Sequence, residues 1–239
     1  MSDLGALAGA TIALDLDGTL VDTAPDLVGT LNTLLAGEGL PALPMDAARP
    51  LIGGGARVLI RRGFAAAGEP LDETRLEALF ERFIPHYLDH IADESRPFPG
   101  APAALQTLRG AGARLAVCTN KRTDLSLALL RALLLDGLFD AVVGADAAPA
   151  CKPDPAHLLT AIAQAGGQPD RAVMVGDSAT DAGAARAAGV PLVLVSFGYT
   201  EVPAQELGPD VLIDRFAELP AACARVLGAD LVRQGAKAL

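Results

Sequence analysis

LDLDGTLVD, residues 14–22, is the stretch that decides the fold of this chain. The residues leading into it, 10–14 (ATIAL), are short, apolar and partly β-branched, as a strand buried in a parallel sheet must be, so Asp15 stands where such a strand ends. In open α/β sheets, ligands gather at the carboxyl ends of the strands. Asp15 and Asp17 would sit there about 7 Å apart on one face of extended backbone. Carboxylates this close repel unless a metal ion, a lysine or a shared proton compensates them. Gly18 and Thr19 then break the strand, and their backbone N–H groups are free to hold an anion beside that cation.

Outward from this stretch, composition narrows the class. With 239 residues and 51% hydrophobic content, the chain can bury one large core and a smaller satellite. Its formal charge of −10, with no block of Lys or Arg, argues against nucleic acid as a partner. MSDLGALAG at the start lacks a basic and then apolar leader, and no apolar run approaches the ~20 residues of a membrane span. A soluble cytoplasmic protein is expected. Cys118, Cys151 and Cys223 are odd in number and lack zinc spacing, which predicts reduced thiols.

From residue 23 the pattern turns helical. Asp22 and Thr23 are placed to cap, Pro25 suits a first turn, and Leu27, Leu31, Leu34 and Leu35 recur at helical spacing. Further helices are expected at 56–67, after the glycine loop 52–55 (IGGG), and at 72–91, with no strand among them. Proline-rich RPFPG (96–100) closes the stretch, so residues 23–97 form an inserted helical domain, and 1–22 with 98–239 form the core. Beyond residue 100, helix and strand alternate, the pattern of a doubly wound parallel sheet. Expected strands are 113–118, 141–144, 172–176, 192–195 and 211–213; expected helices are 102–109, 123–134, 155–165, 179–188 and 216–227, followed by a frayed tail at 228–239.

Several of these strands end in polar residues: Thr119 and Asn120, then Lys152 within CKPDP, then Asp177 and Asp181 in GDSATD. In a parallel sheet all of them face the crevice that holds Asp15 and Asp17. Singly each is ordinary, since an Asp after a strand is commonly a helix cap. Their convergence on one crevice is the informative feature.

DLDGTL (15–20), the threonine of VCTN, the lysine of CKPDP and GDSATD occur in an order that resembles the haloacid dehalogenase superfamily, and the helical insertion after the first motif resembles that family's cap. The resemblance implies a doubly wound α/β core with an α-helical cap domain and a magnesium-dependent phosphate monoesterase. Asp15 would be the nucleophile, Asp17 the general acid and base, Thr119 and Lys152 the phosphate holders, and Asp177 a Mg²⁺ ligand supported by Asp181. The metal would also take Asp15 and the Asp17 backbone carbonyl, and Gly18, Thr19 and Asn120 would line the phosphate site. Within the family, Asp17 counts against dehalogenases. DLDGTLVDTAPDL, IGGGARVLI and GYTEVPAQELGPD resemble segments of family members that act on small phosphates, which implies a substrate such as 2-phosphoglycolate, with a sugar phosphate as the alternative.

Arg57, one turn past the glycine loop, is positioned to pair with a substrate carboxylate, against the simpler reading of a solvated helix arginine. Cys118 and Cys151 flank the site but read as packing residues. His86 and His90, four apart, lack the further ligands a metal site needs. A receiver-type domain phosphorylated on Asp would also gather acids, Thr and Lys at strand ends, but it has no use for so large an insertion. A dinucleotide site is excluded because acids, and no G-x-G-x-x-G, follow the first strand.

Overall fold

The computed structural model describes the backbone of residues 4–237 and the side chains of residues 4–229. The chain enters through β1 (Thr11–Leu14) and crosses the two-residue strand β2 (Val21–Asp22). It then forms α1 (Ala24–Gly37), α2 (Met45–Ala48), α3 (Ala56–Ala66) and α4 (Glu73–Asp89), and returns through β3 (Arg96–Pro97). The remainder is α5 (Ala101–Gly110), β4 (Arg114–Cys118), α6 (Thr123–Ala132), β5 (Ala141–Val143), α7 (Pro155–Gln164), β6 (Ala172–Gly176), α8 (Ala179–Ala188), β7 (Leu192–Val195), β8 (Val211–Ile213) and α9 (Leu219–Lys237).

Six strands form one parallel sheet in the order β5-β4-β1-β6-β7-β8. β1 is wholly buried at its centre, and the alternation of side chains sends Ile12 and Leu14 to one face and Ala13 to the other. The first face packs on α5, α6 and α9 through Leu105, Leu129 and Cys223, with Phe216 from the turn before α9; the second packs on α7 and α8 through Leu158, Ile162 and Ala185. Small alanines on α8 let that helix lie close to the sheet. Because β1 is flanked by β4 and β6, the chain reverses its winding direction there, and the carboxyl ends of these three strands frame one crevice. The doubly wound core expected from the sequence is therefore present.

The inserted helices have a core of their own. α1 buries Leu27, Leu31, Leu34 and Leu35, the four leucines of the sequence pattern, and α1 and α3 both pack on α4 around Phe64, Phe80 and Phe83. Leu125 and Tyr199 from the sheet unit complete this cluster. Three details differ from the sequence reading. The stretch is not free of strand, because β2 and β3 pair antiparallel, Val21 opposite Pro97 and Asp22 opposite Arg96. Two residues are too few to show a period, and Pro97 is tolerated because a two-stranded ribbon is all edge. A short helix, α2, interrupts the connection from α1 to α3. At the far end, α9 continues past residue 227 to Lys237, since its two internal glycines, Gly228 and Gly235, cost only about 1 kcal/mol each; residues 238–239 of the expected frayed tail lie outside the described residues.

Asp26 ties the two crossings together. It is buried on α1 and accepts hydrogen bonds from the Glu94 and Ser95 N–H groups and from the Ser95 hydroxyl, at 2.6–3.2 Å. Asp26→Ala strands three donors in a partly dry site, and bonds to a charged acceptor are worth about 1.5–3 kcal/mol each. Urea denaturation of this variant should show a loss of about 3 kcal/mol. A loss below about 1 kcal/mol would mean that other contacts hold the returning strand.

Candidate active site

The loop after β1 closes tightly upon itself. Leu20 and Val21 N–H both donate to the Leu16 carbonyl, and Gly18 N–H donates to the Val21 carbonyl at 3.0 Å. That last amide is therefore occupied, and the expectation of a free Gly18 N–H for an anion is corrected: the turn consumes it. Gly18 has φ +82°, and a Cβ there would stand 2.6 Å from an Asp177 oxygen and 2.8 Å from the Tyr199 ring, so only glycine fits. Thr19, fully buried, donates its hydroxyl to Asp177 Oδ1 at 2.8 Å. It orients that acid.

Asp15 ends β1 with its carboxylate buried, accepting from Leu16 N–H at 2.7 Å and lying 3.0 Å from Lys152 Nζ. The same ammonium donates to Asp181 Oδ1 at 2.6 Å, so Lys152 stands between the two acids. Asp181 Oδ2 accepts from the Asp177 and Ser178 N–H groups and from the Ser178 hydroxyl, which closes a capping box at the start of α8. With both oxygens engaged, Asp181 holds Lys152 in place. His157, which drew no notice in the sequence, braces the lysine loop: its Nδ1 accepts from Lys152 N–H at 3.2 Å, leaving Nε2–H for the Val143 carbonyl. Burial and the nearby Lys152 hold its pKa below the ordinary value, consistent with a neutral ring.

Asp17 takes a different set of partners. Both its oxygens receive Lys121 Nζ, at 2.9 and 3.0 Å, and Oδ1 also accepts the Thr23 hydroxyl at 2.7 Å. Thr23 thus begins α1 without capping it with its side chain; the Ala24 N–H donates instead to the Tyr199 hydroxyl at 3.0 Å. Asp22 is no cap either. It accepts from the Tyr199 hydroxyl and from Arg49, which lies over the Tyr199 ring. Lys121, Thr23 and Tyr199 are site residues that motif reading missed. Rarity was the available signal, since the chain has three lysines and two tyrosines.

A chamber of about 330 Å³ joins these groups to the inserted helices. Asp15, Asp17, Thr119 and Lys121 line its floor, and Ile52, Leu59, Phe83, Ile84 and Tyr87 line its roof. Thr119, buried, accepts from Lys121 N–H at 3.2 Å, which leaves its hydroxyl proton for a ligand oxygen. Asn120 clamps loops together: its Nδ2 donates to the Gly53 and Lys152 carbonyls and its Oδ1 accepts from Lys152 N–H. Gly55, at φ +85°, permits that approach, since a Cβ would lie 3.0 Å from the Asn120 carbonyl oxygen. Arg57 reaches the chamber wall but forms a bidentate pair with Glu77 at 2.6 and 2.7 Å and stacks 3.6 Å from the centre of the Phe80 ring, with half its side chain exposed. Cys118 is buried, and that burial pushes its thiol up to about 12, so it packs as an apolar group.

A family model described as haloacid dehalogenase-like hydrolase matches residues 10–189. The chain is 60% identical over 227 residues to a phosphoglycolate phosphatase of Caulobacter vibrioides, covering 95% of this chain and 96% of that one. It is 49% identical to a phosphoglycolate phosphatase of Agrobacterium fabrum, with 94% of each chain covered. The crystal structure of a predicted phosphoglycolate phosphatase from Haemophilus somnus superposes with a TM-score of 0.82 at 32% identity, covering 89% of this chain and 96% of that one.

A divalent cation fits this donor set. Ligand oxygens of Asp15, Asp177 and Asp181 lie within 4.8 Å of one another, all buried. Burial raises Asp15 to about 7, with Lys152 opposing and Asp181 and Asp17 adding; burial and the neighbouring Asp181 and Asp15 raise Asp177 to about 8. Such acids call for a positive partner beyond Lys152, and an all-oxygen set suits Mg²⁺. Both pKa values exceed those of the unfolded chain, so the metal-free native state binds extra protons between about pH 4 and 8 and loses stability as pH rises through that window. The metal-free melting temperature should therefore be lower at pH 8 than at pH 5, and Mg²⁺ should raise it more at pH 8. Melting curves in EDTA and in Mg²⁺ test this; an increment no larger at pH 8 would sink the assignment.

Proposed function

The chain belongs to the haloacid dehalogenase-like hydrolase family, and on that premise we propose that it is a magnesium-dependent phosphatase acting on a small phosphate monoester, with 2-phosphoglycolate the foremost candidate. The observation that carries this reading is the floor of the chamber, where a buried nucleophilic carboxylate, a second acid with its own partners, a lysine and a threonine hydroxyl meet beneath a lid of helices. The substrate name rests on the phosphoglycolate phosphatases at 60% and 49% identity.

In this reading Asp15 attacks phosphorus in line. The ester P–O bond breaks as the bond to the Asp15 oxygen forms, giving an aspartyl-phosphate that water then cleaves to inorganic phosphate. Lys152 and Thr119 receive the phosphoryl oxygens, and Lys152 is held for this task by Asp181. Asp17 gives a proton to the departing alkoxide and later withdraws one from water. Asp15, Asp177 and the Asp17 carbonyl would hold Mg²⁺, which supplies charge neutralisation at the phosphoryl group. Residues 23–97 act as the cap domain over the core of 1–22 and 98–239. Their apolar roof keeps water from the chamber and favours a short leaving group. Free Cys118, Cys151 and Cys223 suit the reducing cytoplasm.

A sugar phosphate is the second reading, and turnover distinguishes the two. With Mg²⁺, kcat/KM for 2-phosphoglycolate should exceed that for glucose 6-phosphate by at least about 100-fold, since charge recognition is worth ~2–5 kcal/mol. The reverse order would select the sugar ester. Asp15→Asn, nearly isosteric, should leave a folded protein with no measurable turnover. Asp17→Asn should slow alkyl phosphates far more than p-nitrophenyl phosphate, whose leaving group needs little protonation. Equal losses on both esters would make Asp17 a positioning group only.

A further inference from the structure

Resting on the phosphatase reading, we infer that Lys121 and the Tyr87 hydroxyl together read a carboxylate borne directly by the ester carbon of the leaving group, which makes them the specificity-determining pair of the chamber. Among the described residues, three cations reach the chamber wall: Arg57, Lys121 and Arg122. Arg57 is held bidentately by Glu77 and Arg122 bidentately by Asp124, and both side chains are roughly half in solvent. Screened, already paired charges discriminate little among ligands. Lys121 differs in being desolvated, its side chain 4% exposed. Its ammonium is held on one side by the Asp17 carboxylate, at 2.9 and 3.0 Å.

Tyr87 supplies the second observation. It sits on α4, 1% exposed, and contributes to the chamber lining, yet its hydroxyl has no hydrogen-bond partner among the described residues. The Lys121 ammonium lies 4.6 Å from the centre of its ring, so that cation and phenol are immediate neighbours on the chamber wall. A buried donor left without an acceptor costs free energy comparable to a lost hydrogen bond, so a ligand oxygen is the natural partner. Burial holds this phenol up at about 12, which keeps it a donor at neutral pH. A cation and a neutral donor at adjacent points of a dry wall suit the two oxygens of one carboxylate.

Geometry fixes where on the substrate that carboxylate must be. Asp17 can protonate the leaving oxygen only from hydrogen-bond distance, about 3 Å. Lys121 Nζ lies 2.9 and 3.0 Å from the two Asp17 oxygens. Lys121 is therefore at most about 6 Å from the ester oxygen, two hydrogen bonds in sequence. Standard bond lengths place a carboxylate oxygen roughly 3 Å from the ester oxygen when the ester carbon itself bears the acid, which leaves one hydrogen-bond length to Lys121. Esters of α-hydroxy acids meet this spacing. A sugar phosphate would bring a neutral hydroxyl to a buried cation.

The test compares 2-phosphoglycolate with ethyl phosphate, which has the same backbone without the carboxylate, in the intact enzyme with Mg²⁺. Tyr87→Phe removes the hydroxyl and keeps the ring against Lys121; Lys121→Gln removes the charge and keeps an N–H for Asp17. The ratio of kcat/KM for 2-phosphoglycolate to that for ethyl phosphate should fall about tenfold in Tyr87→Phe, chiefly through KM, and about 100-fold or more in Lys121→Gln. A ratio preserved in both variants, with both esters slowed alike, would reduce Lys121 to a positioning residue for Asp17 and overturn the inference. A wild-type enzyme that turns over both esters without preferring 2-phosphoglycolate would overturn it also. A wild-type enzyme inactive on every monoester would instead overturn the phosphatase reading.

Discussion

Three carboxylates whose ligand oxygens lie within 4.8 Å of one another are buried behind a single ammonium group, Lys152, and the architecture around them serves to make that tolerable. Asp181 spends both oxygens, one on Lys152 and the other on the start of α8. Asp177 is satisfied by Thr19 and by the Tyr199 N–H. His157 and Asn120 fix the loop that carries Lys152. Buried charge is costly unless paired and hydrogen-bonded. Here the partners of the carboxylates come from the loops after β1, β5, β6 and β7, which is why the site needs several strand ends side by side and could not be built on one element.

The inserted helices are tied into the same network. Tyr199 donates its backbone N–H to Asp177 and its hydroxyl to Asp22, while accepting from Ala24 N–H at the start of α1. Thr23 donates to Asp17 from the same crossing. Thr23 at the base of the insertion thus contacts Asp17 of the floor, Ala24 is linked to Asp177 through Tyr199, and Asn120 reaches Gly53 at the far loop. The helices are positioned by polar contacts at their margins and by an apolar cluster in which Leu125 and Tyr199 are lent by the sheet unit.

Much of this was legible in the sequence because the relevant signals were local. Buried parallel strands announce themselves as short apolar runs, and residues at their carboxyl ends share a crevice by topology, so Asp15, Asp17, Thr119, Lys152, Asp177 and Asp181 could be gathered before any coordinates. Contacts that join distant segments were not legible. Nothing around Tyr199 tells that its hydroxyl reaches Asp22, 177 residues earlier. Thr23 and Asp22 carry the composition of helix caps, and only tertiary competition diverts their side chains elsewhere. Arg57 looked available because its partner Glu77 lies 20 residues on, in another helix. Lys121 stood two residues past a recognised threonine, and its pairing with Asp17 spans 104 positions.

The ribbon of β2 and β3 brings the entry and exit of the insertion side by side, with Val21 opposite Pro97 and Asp22 opposite Arg96. A segment that leaves and rejoins the sheet at one point can be exchanged, lengthened or reshaped over evolutionary time without moving any strand, provided the crossing is kept. Drift in the helices alters the roof while the reacting floor stays as it is. The two halves of the chamber are therefore free to evolve at different rates, and new selectivities can be sampled on an unchanged reaction.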